Sequence, residues 1–290
     1  MTITPRVSFE FFPPRDLAAS FRLWETIRAL APLAPRFMSV TYGAGGSTRE
    51  LTREAVTTIG QETGLDVAAH LTCVDATRDE TLAVARGFAT AGVREIVALR
   101  GDPPRGSSRF TPHPDGFRNS CELIAALRDT GLFRTIRVGA YPETHPEAAN
   151  PQADLDWLKR KADAGATEAV TQFFFEAESF FRFRDACEKA GIDIPVIPGI
   201  LPIENWAGAR RFAENCGTRI PAWLDRAFDK ALRDDRHDLL ATALATELCD
   251  NLIAGGVRDL HFYTLNKPCL TRNVCHALGL RPQVALRDVA

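Results

Sequence analysis

The feature that most constrains the fold of this chain is an eightfold alternation of short apolar strands with amphipathic helices. Strand-like runs fall at 7–12, 36–42, 66–72, 95–100, 135–141, 168–174, 194–201 and 257–263. Helical patterns follow at 16–30, 48–63 and 77–91, then in segments ending near Asp129, Gly165 and Ala190. Two or three helices fill 204–254 before the last strand, and one more covers 268–278. Eight such units predict an α/β fold, a closed (βα)8 TIM barrel with extra helices before the last strand. No Gly-, Ser- or Pro-rich linker breaks the pattern, so 1–290 reads as a single barrel domain. An open doubly wound sheet would favour a Gly-x-Gly-x-x-Gly turn after the first strand, where Pro13-Pro14 stands instead. The turn Gly43-Ala44-Gly45-Gly46 lacks the lysine of a phosphate-binding loop and reads as a strand-to-helix connection.

In the first strand, Val7, Phe9 and Phe11 point to one side, while Ser8, Glu10 and Phe12 point to the other. Pro13 and Pro14 end the strand, since neither can donate to a ladder. Glu10 is therefore a carboxylate near the end of an apolar strand, a costly place for a charge that is neither paired nor used. A salt-bridged strand residue and a functional acid fit this stretch equally well on its own.

In a barrel of this kind, the carboxyl ends of the strands form the active face. Glu10, Thr41, Tyr42, His70, Arg100, Asp102, Tyr141, Gln172 and Tyr263 all fall there. Each has an ordinary structural explanation, such as a core histidine or a turn aspartate; their shared position points to a polar ligand in the mouth. On the helix after strand five, Asp154, Trp157 and Lys161 lie at spacings of three and four and share a face. With Arg160 and the preceding His145 they make a cationic cluster suited to a pyrophosphate, beside an aromatic surface for a base. A solvated basic surface is the plain alternative.

Several classes are disfavoured. A net charge of −2 gives no footprint for nucleic acid. Lysine is confined to Lys159, Lys161, Lys189, Lys230 and Lys267, which leaves few candidates for Schiff-base chemistry. The seven cysteines are scattered without a Cys-x-x-Cys pair and read as reduced thiols. His70-Leu71-Thr72-Cys73 has no second pair to complete a metal site. With no leader at Met1 and no bilayer-length apolar run, a cytoplasmic protein without membrane contact is expected.

The rim residues lie within Ser8-Phe9-Glu10-Phe11-Phe12-Pro13-Pro14, Val40-Thr41-Tyr42-Gly43-Ala44, His70-Leu71-Thr72-Cys73 and Leu99-Arg100-Gly101-Asp102. Further motifs are Tyr141-Pro142-Glu143-Thr144-His145-Pro146, Thr171-Gln172-Phe173-Phe174-Phe175, Pro198-Gly199-Ile200-Leu201-Pro202 and His261-Phe262-Tyr263-Thr264-Leu265-Asn266. In this order, the chain resembles the methylenetetrahydrofolate reductases of bacterial type over essentially its whole length. The resemblance implies a non-covalent FAD and reduction of 5,10-methylenetetrahydrofolate to 5-methyltetrahydrofolate. NADH or NADPH would be the reductant in a ping-pong hydride transfer, with NADH preferred, and a homo-oligomer is expected.

Carried over residue by residue, flavin contacts fall to Thr41, His70, Leu99, Arg100, Gly101, Asp102, Tyr141, His145, Asp154, Arg160 and Lys161. Trp157 would add an adenine-side surface. Folate contacts fall to Glu10, Asp102, Gln172, Phe212, Tyr263 and Lys267, the last standing where relatives may carry arginine. Catalysis falls to Glu10, Asp102 and Gln172. Glu10 would be the general acid, its pKa raised roughly two units above about 4.3 by Phe9, Phe11, Phe12 and the covering flavin. Competing readings are a flavin-free folate reductase, another FAD barrel such as a proline dehydrogenase, and a non-catalytic folate- or flavin-binding subunit. Glu10 and Gln172 weigh against a proline dehydrogenase, the set of Glu10, Asp102 and Gln172 against a non-catalytic subunit, and His70, Arg100, Tyr141, His145 and Lys161 against a flavin-free enzyme.

Overall fold

The protein was analysed as a computed structural model, which describes residues 4–42, 48–102 and 110–283. The glycine-rich turn at 43–46 and the start of the polar loop after Asp102 lie outside the described residues. One parallel sheet holds β1 (Arg6–Phe11), β2 (Met38–Val40), β3 (Val67–Thr72), β4 (Glu95–Leu99), β5 (Thr135–Ala140), β6 (Glu168–Thr171), β7 (Val196–Ile197), β8 (Gly199–Ile200) and β9 (Asp259–Tyr263). Its order is β7-β6-β5-β4-β3-β2-β1-β9-β8. The helices are α1 (Leu17–Leu30), α2 (Arg49–Thr63), α3 (Arg78–Thr90), α4 (Ser120–Asp129), α5 (Pro151–Asp163), α6 (Ala177–Lys189), α7 (Trp206–Cys216), α8 (Ala222–Arg233), α9 (His237–Ala254) and α10 (Pro268–Ala277). This is the TIM-barrel-like α/β architecture expected, with α7 and α8 as the additions before the last helix–strand unit. Among the described residues, no helix is long and apolar enough to cross a membrane.

The structure differs from the expected eight strands at 194–201. Pro198 has no N–H, so the run divides into β7, paired with β6, and β8, paired with β9. The Pro198 carbonyl still accepts from His261 N at 3.0 Å. Closure of the barrel passes through this break. Gly199 is required there because a Cβ would overlap the Thr171 carbonyl oxygen and the Tyr263 ring.

Local chemistry sets the helix starts. Asp16 accepts from Ala19 N, Asn119 from Glu122 N, Asn150 from Ala153 N and Asn205 from Gly208 N. Thr77 and Glu80 form a reciprocal capping box. Strand alternation then sorts the side chains. Val7, Phe9 and Phe11 join Met38, Val40, Leu71 and Leu260 in the apolar layer between strands and helices.

The opposite strand faces fill the barrel in layers. At the amino-terminal end, Arg137 is fully buried and reaches Glu95 at 2.6 Å and Glu168 at 2.7 Å. Arg134 binds Glu95 at 2.8 Å, Arg36 pairs with Glu168, and Arg6 binds Asp259 at 2.6 Å. Above them, Phe37, Ala68, Val97, Val170 and Ile197 form a small apolar layer. Glu10, His70, Gln172 and Tyr263 stand above that, at the carboxyl ends. Removing Arg137 would take the buried cation from between Glu95 and Glu168 and leave each with only its peripheral partner, Arg134 or Arg36. Arg137→Leu is expected to destabilise the fold by roughly 3–5 kcal/mol, read as a lower urea midpoint with an unchanged slope; an unmoved midpoint would show that the cluster is not needed for stability.

Candidate active site

The mouth of the barrel contains two connected cavities. The deeper one, about 210 Å³, is lined by Glu10, Ser39, His70, Gln172, His261 and Tyr263 among others. The wider one, about 680 Å³, runs from Glu10 and Thr41 past Arg100, Gly101 and Asp102 to His145 and Lys161. Glu10, His70, Leu99, Gly139, Tyr141, Gln172 and Phe212 line both. One end is basic and the other holds a carboxylate between two imidazoles.

Glu10 lies on the interior face of β1. Its Oε2 is 3.1 Å from His70 Nε2 and 3.6 Å from His261 Nε2. The His70 contact is bent away from hydrogen-bond geometry. Burial by itself would raise the carboxyl, but the neighbouring His70 and His261 rings together outweigh it and hold Glu10 down to about 2. The sequence reading expected the opposite direction. Phe9 and Phe11 point into the outer layer, as their own alternation requires, and Phe12 is exposed at the rim. The side chains facing Glu10 are therefore imidazoles rather than phenyl rings. Burial pushes His261 below its ordinary value and Tyr263 well above its own.

The other rim residues are placed by backbone and ring contacts. Thr41 N donates to Phe11 O at 2.9 Å, and Gln172 N donates to Ala140 O at 2.8 Å. The Gln172 amide donates to Cys216 Sγ at 3.4 Å and accepts from Phe173 N at 3.0 Å. Tyr263 Oη donates to Thr171 O at 2.6 Å. Tyr141 packs edge-on against His145, with centroids 4.5 Å apart. Gly101 adopts φ 91° with no room for a Cβ between Val74 and Thr72, so this turn demands glycine. Arg100 is held by both oxygens of Glu147, at 2.5 and 3.1 Å.

Lys161 is the cation best placed to meet an anionic ligand at this end of the mouth. It is partly buried, its Nζ donates to Gly139 O at 2.8 Å, and burial lowers its pKa. Among the described residues it makes no ion pair. An ammonium has three donors, so the cavity side of this one suits an acidic oxygen.

Not every expected residue lines the mouth. Asp154 acts behind it, accepting from His145 N at 2.8 Å and so fixing the loop. Trp157 and Arg160 are exposed and stack on each other at 5.1 Å; neither lines the cavities. Shared helical spacing held for Asp154 and Lys161, whereas Trp157 sits too far round the helix. Lys267 is exposed at the start of α10 and lines neither cavity. Phe117 is buried beneath the Arg78 guanidinium. Sequence reasoning missed Ser8 and His261 as a pair and Asn266 as a clamp. The alternation already put Ser8 beside Glu10 and His261 beside Tyr263; which strand would neighbour which was the missing piece. Asn266, at φ 54°, accepts from Phe12 N at 2.9 Å and donates to Phe12 O at 3.0 Å.

A parallel barrel with acid, amide, imidazole and basic groups gathered at its carboxyl-end mouth is the architecture of an enzyme acting on a polar organic substrate. Comparison with known proteins narrows this. A family model described as methylenetetrahydrofolate reductase matches residues 2–279. The 5,10-methylenetetrahydrofolate reductase of Salmonella typhimurium is 47% identical over 277 residues, covering 95% of this chain and 91% of that protein. The Escherichia coli protein of the same name is 48% identical over 278 residues with the same shares. Methylenetetrahydrofolate reductase (NADH) 1 of Arabidopsis thaliana is 36% identical over 94% of this chain, which spans 48% of that longer protein. The chain belongs to the methylenetetrahydrofolate reductase family. The fold is shared with an uncharacterized protein from Clostridium thermocellum, described as binding two copies of 5-methyl-5,6,7,8-tetrahydrofolic acid. That match has a TM-score of 0.60 at 13% identity, covering 96% of this chain and 95% of that one.

The depressed Glu10 pKa carries a stability consequence. Its contribution is present above the ordinary value of 4.5 and is lost as pH falls toward about 2. Between pH 6 and pH 3, Glu10→Gln should lose about 2 kcal/mol less unfolding free energy than the parent in urea titrations. Equal losses would contradict the ion-pair geometry.

Proposed function

We propose that this protein is an FAD-dependent reductase converting 5,10-methylenetetrahydrofolate to 5-methyltetrahydrofolate, working as a single barrel domain with NADH as reductant. The observation that carries the reading is the pair of connected cavities, in which an anion-seeking cationic end and a carboxylate-bearing end share seven lining residues. Lys161 and Arg100 suit a pyrophosphate; Thr41, His70, Leu99, Gly101 and Tyr141 suit the ring system and its edge. A flavin bound there would accept a hydride from reduced nicotinamide and pass it to the folate. The name of the Arabidopsis relative supports NADH.

The chain's own residues would do the rest. Nicotinamide and pterin would occupy the deeper cavity in turn, with Phe212 as an apolar wall. Gln172 would orient the pterin through whichever amide positions remain after its bonds to Cys216 and Phe173. Asp102, at the end of the β4 turn, would lie near both rings, where its carboxyl group disfavours extra negative charge. Glu10 would give a proton to the nitrogen that leaves when the folate's five-membered ring opens. It starts from the ionised state, so it must be protonated first; a ligand that seals the mouth adds to the desolvation that already opposes its charge.

Two measurements test this reading. Glu10→Gln should still bind flavin and be reduced by NADH, while reoxidation by methylenetetrahydrofolate falls by on the order of 10²–10⁴-fold. Equal loss in both half-reactions would remove Glu10 from the acid role. Lys161→Ala should weaken FAD binding by roughly ten- to a hundredfold in an equilibrium titration. Unchanged affinity would sink the pyrophosphate assignment.

A further inference from the structure

We infer that His261, held by Ser8, is a positioning residue for Glu10: its ring engages Oε2, so that Oε1 faces the mouth and is the oxygen that carries the proton. The inference rests on the reading of Glu10 as proton donor and adds which oxygen acts and what sets it.

The geometry begins in the strand register. Ser8 is the direct partner of His261, and Glu10 of Tyr263, across β1 and β9. Ser8 Oγ lies 2.8 Å from His261 Nδ1, well inside its 3.4 Å distance to the only other acceptor it reaches among the described residues, Leu260 O. His261 Nε2 lies on the other side of the ring, 3.6 Å from Glu10 Oε2. The ring is fully enclosed. It stacks on Phe37 with centroids 5.4 Å apart and planes 15° apart, and meets Tyr263 edge-on at 5.3 Å. Phe37 in turn lies 3.5 Å from the Arg137 guanidinium. With one face on Phe37 and an edge on Tyr263, the imidazole has little room to rotate. Nδ1 therefore stays with Ser8 and Nε2 with Glu10.

A neutral imidazole has one N–H. If the Ser8 hydroxyl donates to Nδ1, the proton must be on Nε2, where it points at Oε2. In that tautomer the Nε2–H dipole faces Oε2 across 3.6 Å and favours it as the unprotonated oxygen in both states of the carboxyl: as part of the carboxylate, and as the carbonyl oxygen of the neutral acid. His70 approaches the same oxygen at 3.1 Å. Among the described residues, Oε1 has no hydrogen-bond partner. The acid proton then belongs on Oε1. It passes from there to the leaving nitrogen of the folate ring, breaking the Oε1–H bond and leaving the carboxylate, and is regained from solvent before the next turnover. The main chain beneath is fixed as well, because Thr264 Oγ1 donates to Glu10 O at 2.6 Å.

The charged and titratable groups facing His261 are Glu10 on β1, His70 on β3, Arg137 on β5 and Tyr263 on β9. Burial opposes an imidazolium at His261 most strongly, Glu10 favours one, and His70 and Arg137 oppose it; the net direction is downward. The enclosed ring thus works as a fixed donor rather than a second acid.

The test uses the flavin-loaded protein and follows each half-reaction by stopped-flow across pH. His261→Phe keeps the stack on Phe37 and removes the donor. Its limiting rate of flavin reoxidation by methylenetetrahydrofolate should fall about tenfold or more, through misorientation of the acid. Its alkaline limb should move to higher pH, because the lost donor favoured the ionised carboxylate. Reduction by NADH, which needs no proton from Glu10, should fall by much less than reoxidation does and should show no matching shift of its alkaline limb. Ser8→Ala, a small change that keeps the fold, should shift both quantities the same way by a smaller amount, and Ser8→Thr should restore them. Nitrogen-15 NMR of the flavin-free parent should show His261 neutral with its proton on Nε2. An unmoved alkaline limb in both variants, or a proton on Nδ1, overturns the assignment. A parent protein whose reduced flavin is not reoxidised by the folate overturns the functional reading itself, a different outcome from an active parent with unaffected variants.

Discussion

The rest of the structure depends on how the barrel interior is filled. A closed parallel sheet leaves a tube that side chains must occupy. Here the amino-terminal end is stopped by a cation, Arg137, held between Glu95 and Glu168. Burying these charges is tolerable only because every partner is present and each carboxylate has a second cation, Arg134 or Arg36. The guanidinium supports Phe37, Phe37 supports His261, and His261 meets Glu10. A continuous column thus connects the stopper to the mouth, and the groups at the top inherit their positions from the packing below.

The same enclosure explains the electrostatics of the mouth. Glu10 is shielded from water, which opposes ionisation, yet two imidazoles stand against one of its oxygens and keep it ionised. Toward the other end of the mouth, Lys161 is left without a carboxylate among the described residues, and Arg100 is occupied by Glu147. A basic end that seeks an anion and an acidic end that needs a proton are linked by a shared wall. That division suits a ligand with an anionic end and a polar ring.

Much of this was legible in the sequence. Alternation placed Phe9 and Phe11 on one side of β1 and Glu10 on the other, and the eightfold repeat placed Glu10 at the rim. The same repeat located Arg100, Asp102, Tyr141 and Gln172 at strand ends. The misses share a cause. Phe9 and Phe11 were credited with Glu10's acidity although they face the outer layer; adjacency along a strand was read as adjacency in space. Trp157 satisfied helical spacing with Asp154 and Lys161, and Arg160 only adjoins Lys161; spacing alone does not say which arc of a helix meets the rim. Pro198 interrupts the seventh run, but the chain by itself does not reveal that closure would pass through two short pieces.

What the sequence by itself determined is the class of barrel, the set of polar groups delivered to its mouth, and the family, because these follow from periodicity and from motifs read along the chain. The tertiary structure alone decided which groups meet. His261 faces Glu10 only because β9 pairs with β1 across 253 residues of chain, the separation between Ser8 and His261. His70 reaches the same oxygen from β3, two strands away on the other side. A carboxyl's acidity depends on what surrounds it in three dimensions, and here closure of the barrel puts imidazoles around Glu10 where the local sequence offers phenylalanines.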